Sequence, residues 1–277
     1  IIACEEGEVE YDIPALEKEN ASVEFIENEE DLNYETLLHL HQKYQPTQVM
    51  IEYNGMWDNT KFVDEICIDQ WQVVQILTTI SAETFDLYYN NMRGQFVYHI
   101  TGSDLVIVNR CDENTKKYPI RGSIKSLNPM CQIVYENKNR QIEDLTVNDL
   151  PYNLNDDYIE VNDMDYGIFC MHIMENPQIY ENKTIKIKGK VIGRDKLIEN
   201  GFVLGRQAMV CCSDDMQLLG LVCISKYAKD LIKDEWLVVD GTISLEYDES
   251  IQSNIPILHV DHLEGAKPLE NEYVTFD

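Results

Sequence analysis

The spacing of apolar and polar residues differs between the two halves of the chain. In the first half, short apolar runs such as residues 49–51 and 105–108 alternate with segments that carry apolar residues at helical spacing. A short run rich in β-branched residues is typical of a buried strand. Strands that alternate with helices predict an α/β fold built on a doubly wound, mostly parallel sheet.

Three helices are predicted in this half. The first carries Leu37, Leu40 and Tyr44 at helical spacing, with Asp31 or Asn33 as its N-cap. The third is weaker, because it contains a proline and a glycine. The predicted helices cover residues 33–44, 82–97 and 116–127, and a further strand rich in Val, Ile and Thr covers residues 71–80.

The second half has the period-two pattern that is typical of strands with one face exposed to solvent. Residues 184–193 alternate apolar and polar side chains, and a short helix is predicted at 166–174 before them. A helical turn or two is predicted at 227–232, after the third strand. Five strands with this arrangement predict a small OB-like β-barrel. The other four strands are predicted at residues 202–210, 218–225, 236–247 and 257–263.

An acidic stretch rich in Asn and Asp separates the two halves. It covers residues 149–165 and contains Pro151. Its carboxylates lack the ligand order of an EF-hand, with a central Gly and a terminal Glu, so a calcium loop is disfavoured. We interpret the stretch as a solvated linker between domains at residues 1–155 and 156–277.

A candidate base-recognition loop follows the strand at 105–108, where the sequence continues as Asn109, Arg110, Cys111 and Asp112. A carboxylate accepts two hydrogen bonds at once from the N1–H and amino groups of guanine, whereas adenine offers no matching pair of donors. In this interpretation Asn109 braces the loop and Arg110 lies across the base. The alternative is a core strand that ends in an ordinary polar turn.

Two more strands end in acidic residues close to glycine. The run at 49–51 leads into Glu52 and then Gly55, and the chain opens with an apolar strand that enters a loop containing Glu5 and Glu8. In P-loop NTPases an acidic residue at such a strand end holds Mg²⁺, directly or through water, and the glycine lets the backbone approach the γ-phosphate. The alternative at 52–55 is a surface glutamate followed by a glycine turn.

These elements, in this order, resemble the CobW/HypB/UreG-like GTPases, and the CobW branch in particular. Residues 4–8 are similar to its Asn-Glu-x-Gly-Glu loop, residues 52–55 to its Glu-x-x-Gly segment, and residues 109–112 to its Asn-Lys-x-Asp motif, with Arg for Lys. Residues 78–85 and 127–133 are similar to two further segments of that family.

The resemblance implies a P-loop NTPase-like domain at residues 1–155 that binds GTP with Mg²⁺ and hydrolyses it. Glu52 is expected to support Mg²⁺ or the attacking water, and the first acidic loop is expected to sense the γ-phosphate. The residues carried over are Asn109, Arg110, Asp112 and Gly55 for nucleotide binding, and Glu52, Glu5 and Glu8 for catalysis.

Three departures qualify this expectation. No Gly-x-x-x-x-Gly-Lys-[Ser/Thr] segment occurs, and the chain begins without Met in mid-strand, so we expect a fragment that lost its first strand and P-loop and does not itself hydrolyse GTP. The Cys-x-Cys-Cys metal loop of the CobW branch is absent, because no Cys lies between Cys4 and Cys67. Cys4 also stands where the family has Asn.

The second half resembles the C-terminal domain of YcgQ-type proteins, which accompany predicted permeases. The matching core is Arg-x-x-Met-x-Cys-Cys-x-x-Asp, here Arg206 to Asp215. Thiolates suit Zn²⁺, but a structural zinc site needs four ligands. Two hypotheses stay open: Cys211 and Cys212 bind a metal such as zinc, or they are small buried residues.

Composition narrows the expected partners. The net charge is −28 with 22 basic and 50 acidic residues, which argues against nucleic acid and against an anionic membrane surface. No apolar stretch is long enough to span a membrane. Eight Cys without a regular framework favour reduced thiols and a cytoplasmic protein.

We therefore expect a GTP-driven switch whose partner is a membrane permease or a metal-requiring protein. The alternative is a non-catalytic binding module, in which a degenerate NTPase scaffold carries a Cys-Cys domain that binds a metal or a partner.

Overall fold

A small parallel sheet opens the chain. The computed structural model describes all residues except 6, 8, 59, 60, 196, 197, 210–215, 275 and 277, and the side chains of residues 63, 64 and 209. The sheet has the strand order β2-β1-β3, and its helices occupy the connections. The elements are β1 (Ile2–Ala3), α1 (Ile13–Lys18), β2 (Glu24–Phe25), α2 (Tyr34–Tyr44) and β3 (Ile51–Glu52).

Local sequence explains helix α2. Asn33 caps it, because its side-chain oxygen accepts a hydrogen bond from the Thr36 N–H at 3.0 Å. Leu37 and Leu40 are buried on its inner face. They pack with Ile2 and Ile26 from the strands, so this first sheet has a hydrophobic core of its own. The predicted helix and one of its two candidate caps are confirmed.

A second sheet follows, with order β4-β5-β6-β7. Strands β4, β5 and β6 are parallel, and β7 pairs antiparallel with β6. Val106 and Val108 of the central strand are fully buried. The elements are β4 (Leu77–Ser81), α3 (Phe85–Asn91), α4 (Arg93–Thr101), β5 (Leu105–Cys111), α5 (Lys117–Leu127), β6 (Gln132–Asn137) and β7 (Ile142–Glu143).

The predicted alternation of parallel strands and helices is confirmed. The prediction of a single sheet was wrong, because the described strands of this half lie in two sheets. The helix predicted at 82–97 is divided at Met92, whose φ of −128° and ψ of 39° lie outside the helical region. The division lets Phe85, Tyr89 and Phe96 converge, with ring centroids 5.2–5.6 Å apart. The strand predicted at 71–80 forms a ladder only from Leu77.

The second half is a closed barrel. Its strands have the order β10-β11-β13-β12-β9, and β9 also pairs with β10, which closes the ring. Strands β11 and β13 are parallel, and the other pairs are antiparallel. This arrangement confirms the OB-like barrel. The elements are β8 (Tyr158–Glu160), α6 (Tyr166–Glu175), α7 (Pro177–Tyr180), β9 (Thr184–Arg194), β10 (Gly201–Met209), β11 (Met216–Ile224), β12 (Trp236–Asp248) and β13 (Ser253–Gly265).

Two predictions for this half were wrong. The stretch at 149–165 is not a solvated linker, because β8 pairs parallel with β9 and the Ile159 side chain is only 3% exposed. The period-two pattern at 158–161 adds a sixth strand to the barrel sheet. Residues 226–230 form turns and residues 231–232 have no regular structure, so the helical turn predicted at 227–232 does not form. Helix α6 packs against the barrel, and its side chains of Tyr166, Phe169 and Ile173 are at most 1% exposed.

Helices α5 and α6 join the two halves. Arg121 on α5 forms two 2.8 Å hydrogen bonds with the carboxylate of Glu175 on α6. A glycine on each helix leaves a notch that is filled by Phe276, which is 5% exposed. A Cβ added at Gly122 would lie 2.2 Å from the Phe276 ring, and one added at Gly167 would lie 2.7 Å from it.

Gly122→Ala is expected to lower the free energy of unfolding by about 1–3 kcal/mol, because the added methyl group overpacks the notch. Phe276→Ala is expected to cost about 3 kcal/mol through the cavity it leaves. In the Phe276→Ala background the Gly122→Ala change should cost almost nothing, since the ring it meets is gone. Urea unfolding of the four proteins measures this cycle. Additive costs would contradict the notch.

Candidate functional site

The loop after β5 is held by its own side chains. Asp112 Oδ1 accepts a hydrogen bond from the Asn114 N–H at 3.0 Å, and the Asp112 N–H donates to Thr115 Oγ1 at 2.9 Å. Arg110 lies in the left-handed region with a φ of 57°, which turns the chain where the strand ends. Short polar side chains stabilise turns in this way. The Asp112 carboxylate therefore has a fixed place at the carboxyl end of the second sheet.

Three loops meet at this edge. Lys138 follows β6, and its Nζ lies 3.0 Å from Asp112 Oδ2 and 2.9 Å from an oxygen of Glu83, which follows β4. The hydrogen bond from Lys138 holds the pKa of Asp112 below its usual range. Lys138 and Glu83 are functional candidates that sequence reasoning missed, because they lie far from Asp112 along the chain. Parallel strands bring them together, since their carboxyl ends share one edge.

Two buried polar atoms lie at the same carboxyl edge of the second sheet. Asn109 Oδ1 and Ser81 Oγ are both buried, and neither has a hydrogen-bond partner among the described residues. Ser81 and Asn109 are also direct neighbours in the β4–β5 ladder. An unpaired buried polar atom costs about 1–3 kcal/mol, so such atoms mark places where a further polar group fits.

The acidic candidates of the first sheet also lie together. Tyr11 Oη donates a hydrogen bond to Glu52 Oε2 at 2.5 Å, and the Gly55 N–H lies 3.4 Å from Glu5 Oε2. Burial and the bond to Glu52 raise the pKa of Tyr11 to about 12, so the phenol remains a donor at neutral pH. Tyr11 was missed by the sequence analysis, because a tyrosine in an acidic loop carries no pattern of its own.

The two sheets are linked beside these residues. The carbonyl oxygen of Gly55 accepts a hydrogen bond from His99 Nε2 at 2.9 Å, which ties the loop after β3 to helix α4. Gln95 of the same helix donates to the carbonyl oxygen of Met56 at 3.3 Å. The structure thus groups Glu5, Glu52 and Gly55 at one strand end and Asn109, Arg110 and Asp112 at another.

Three of the predicted site residues cannot be placed. Glu8, Cys211 and Cys212 lie outside the described residues. Across the part of the chain that the structure describes, no group of three or more His, Cys, Asp and Glu residues is arranged to hold a metal ion. The barrel thiols that it does describe, Cys170 and Cys223, are buried, and burial raises the pKa of Cys170 to about 12.

Arg206 is the most deeply buried charge among the described residues of the barrel half. Its side chain is 3% exposed, and its Nη1 lies 3.3 Å from Asp163 Oδ1. The guanidinium carbon lies 4.6 Å from the centroid of the Tyr166 ring, a cation–π arrangement at the start of α6. Burial lowers the pKa of Arg206, and the carboxylate of Asp163 opposes this shift.

A chain of buried hydrogen bonds lies behind the α5–α6 contact. His172 Nδ1 and Tyr180 Oη are 2.6 Å apart, and Tyr180 Oη lies 2.7 Å from Tyr152 Oη. The ring of Tyr118 on α5 packs edge-on against His172 at 5.6 Å. Burial lowers the pKa of His172, which favours the neutral ring.

These features define a protein with an α/β half and an OB-like barrel half. Residues 136–275, about half of the chain, match the family model of the DUF1980 C-terminal domain, and the chain belongs to this family. The UPF0703 protein YcgQ of Bacillus subtilis (strain 168) is 23% identical over 116 residues, 42% of this chain and 41% of that protein. The chain thus spans less than half of that relative, and the YcgQ-type second half is confirmed.

Solved structures similar to the barrel include the mitochondrial single-stranded DNA binding protein Rim1 of S. cerevisiae, at 11% identity, 30% of this chain, 93% of that chain and a TM-score of 0.23. The small single-stranded DNA-binding protein of Streptomyces coelicolor is 13% identical, with the same coverages and a TM-score of 0.21. The barrel assignment rests on its strand order. No helix in the described ranges has the length and apolar character needed to cross a bilayer.

His172 should make stability depend on pH. Its pKa is lowered in the folded state, so below about pH 6.5 the unfolded chain binds more protons, and the free energy of unfolding falls as pH drops. This contribution is fully present above the unfolded pKa. His172→Gln should flatten the profile between pH 7 and 5 in urea unfolding, relative to the control His39→Gln on an exposed helix face. Equal slopes in the two variants would contradict the assignment.

Proposed function

We propose that this chain belongs to a GTP-binding switch of the CobW-like type. The observation that carries the proposal is the fixed carboxylate of Asp112 at the carboxyl end of β5, with Asn109 beside it. In open parallel sheets, ligands bind at this edge. Asp112 has acceptor positions suited to the N1–H and amino group of guanine, and Arg110 would cover the base.

The sheet edges support a missing strand. In the described part of the chain, β3 pairs with β1 alone and β4 with β5 alone, so each has one unpaired edge. Met50, which precedes β3, and Leu77, the first residue of β4, are 61% and 51% exposed. Open, apolar edges are unusual in stable folds. One parallel strand would join the sheets, and the P-loop strand that the resemblance places before Ile1 is our candidate.

The remaining candidates fit roles in such a site. Asn109 Oδ1 and Ser81 Oγ, which have no hydrogen-bond partner within the described ranges, would bond to an element that carries the phosphates. Glu52 would support Mg²⁺ or the attacking water, and Gly55 would approach the γ-phosphate with Glu5 and Glu8 in the switch loop. Because Glu52 now accepts from Tyr11, that hydrogen bond would have to open for Glu52 to reach a metal.

Helix α5 is the proposed route from nucleotide to barrel. It begins at Lys117, five residues after Asp112, and its Arg121 and Gly122 contact α6 and Phe276. A shift of the base loop would therefore move the α5–α6 contact. GTPases commonly switch by ordering or releasing segments near the nucleotide. We propose that the barrel half passes this change to a permease or a metal-requiring protein in the cytoplasm, without binding nucleic acid.

A non-catalytic module is the second candidate. The observation that favours it is that both oxygens of Asp112 already have partners in its own loop and in Lys138. In this case the first half is a degenerate NTPase scaffold, and the function of the protein lies in the Cys-Cys segment, which binds Zn²⁺ or a partner.

The first experiment is a titration of the full-length protein with a fluorescent GTP analogue, with ATP as competitor. We expect binding that ATP does not displace. Asp112→Asn keeps the shape but removes the acceptor pair, and should weaken binding about 100-fold. Glu113→Gln, an exposed neighbour, is the matched control and should bind normally. Equal affinities for wild type and Asp112→Asn would refute the guanine switch.

Zinc content tests the Cys-Cys segment. If Cys211 and Cys212 are ligands, the double variant Cys211→Ser/Cys212→Ser should lose the metal that the wild-type protein retains after dialysis, because serine is a much poorer ligand. Cys67→Ser in the first half controls for loss of a thiol. Elemental analysis gives the metal per chain. The same content in all three proteins rejects the ligand hypothesis.

A further inference from the structure

Lys138 sits on a turn that is fixed by its neighbours. Asn137 Oδ1 accepts hydrogen bonds from the N–H groups of Asn139 at 2.9 Å and Gln141 at 3.1 Å. Arg140 adopts a φ of 61°, which closes the turn between β6 and β7. The side chain of Lys138 therefore starts from an ordered backbone and extends across the carboxyl edge of the sheet.

The ammonium group of Lys138 is held between two carboxylates. Glu83 lies on one side at 2.9 Å and Asp112 on the other at 3.0 Å, and these bonds raise the pKa of Lys138. Asp112 receives Lys138 on Oδ2 and the Asn114 N–H on Oδ1. Oδ1 also accepts a longer hydrogen bond from Thr115 Oγ1 at 3.4 Å. A carboxylate has about four acceptor positions, so Oδ2 keeps one for a ligand, and Oδ1 offers one when the Thr115 hydroxyl turns away.

We propose that Lys138 is a positioning residue for guanine recognition, and this inference rests on the proposed function. Lys138 orients the Asp112 carboxylate from one side while the Asn114 N–H orients it from the other. Glu83 holds the ammonium group in place and would not itself touch the base.

The groups that act on Asp112 come from three elements. They are Lys138 from the β6–β7 turn, the Asn114 N–H and Thr115 hydroxyl from its own loop, and Glu83 behind Lys138 from the segment after β4. Because the ion pairs are half exposed, their effect on global stability is small, as is usual for surface pairs. They also set the positions of the two Asp112 oxygens. We therefore expect a larger effect on the affinity for a ligand that contacts both oxygens.

The test compares GTP with ITP, whose base lacks the amino group. In the full-length protein a correctly oriented Asp112 should favour GTP over ITP about 10-fold, since one hydrogen bond to a charged group is lost. Lys138→Met should weaken GTP about 10-fold and ITP much less, so the preference collapses. Lys138→Arg should retain most of it, and Glu83→Gln should show an intermediate loss. Lys43→Met, which removes another exposed ion pair, is the matched control.

The outcomes separate the inference from the proposed function. If Asp112→Asn and Lys138→Met both bind GTP like the wild type, the proposed function fails. If Asp112→Asn loses binding while Lys138→Met keeps the full GTP preference over ITP, the guanine site stands and the positioning role is overturned. Circular dichroism of each variant checks that the fold is retained. A collapsed preference in Lys138→Met, recovered in Lys138→Arg, supports the inference.

Discussion

The close approach of α5 and α6 is the contact on which the arrangement of the two halves depends. Two glycines, Gly122 and Gly167, leave the space, and Phe276 from the end of the chain fills it. The contact is stabilised by burial of an aromatic ring and by the ion pair in which Arg121 Nη2 donates to both carboxylate oxygens of Glu175. It connects a helix that starts beside the candidate base loop to a helix packed on the barrel, which is the route that we propose between the two halves.

The two halves differ in how the edge strands of their sheets are paired. The barrel closes on itself, because β9 pairs with both β10 and β12, and a closed sheet has no free edge along those strands. The α/β half leaves β3 and β4 each with an unpaired edge within the described residues. The barrel strands therefore find their partners within the described chain, whereas the first half has room for the further strand that we propose.

The candidate site combines residues that could be found in the sequence with residues that could not. Asn109 and Asp112 follow a strongly apolar strand, so their position at a sheet edge could be predicted from local pattern alone. Lys138 and Glu83 lie 26 and 29 residues from Asp112, and only the parallel pairing of β4, β5 and β6 brings them to it. Tyr11 reaches Glu52 in the same way. Local spacing carries no information about such partners.

The sequence by itself determined the class of each half: helical spacing against period-two alternation separated an α/β domain from a five-stranded barrel. It also determined helix α2 and limited its N-cap to Asp31 or Asn33, because both features depend on neighbours within a few residues; the structure selects Asn33. Tertiary structure decided how the parallel strands divide into two sheets and that the acidic stretch contributes β8 to the barrel. It also decided that α6 packs on the barrel. These features depend on which apolar surfaces meet after the chain folds, and contacts between residues distant in sequence set that choice.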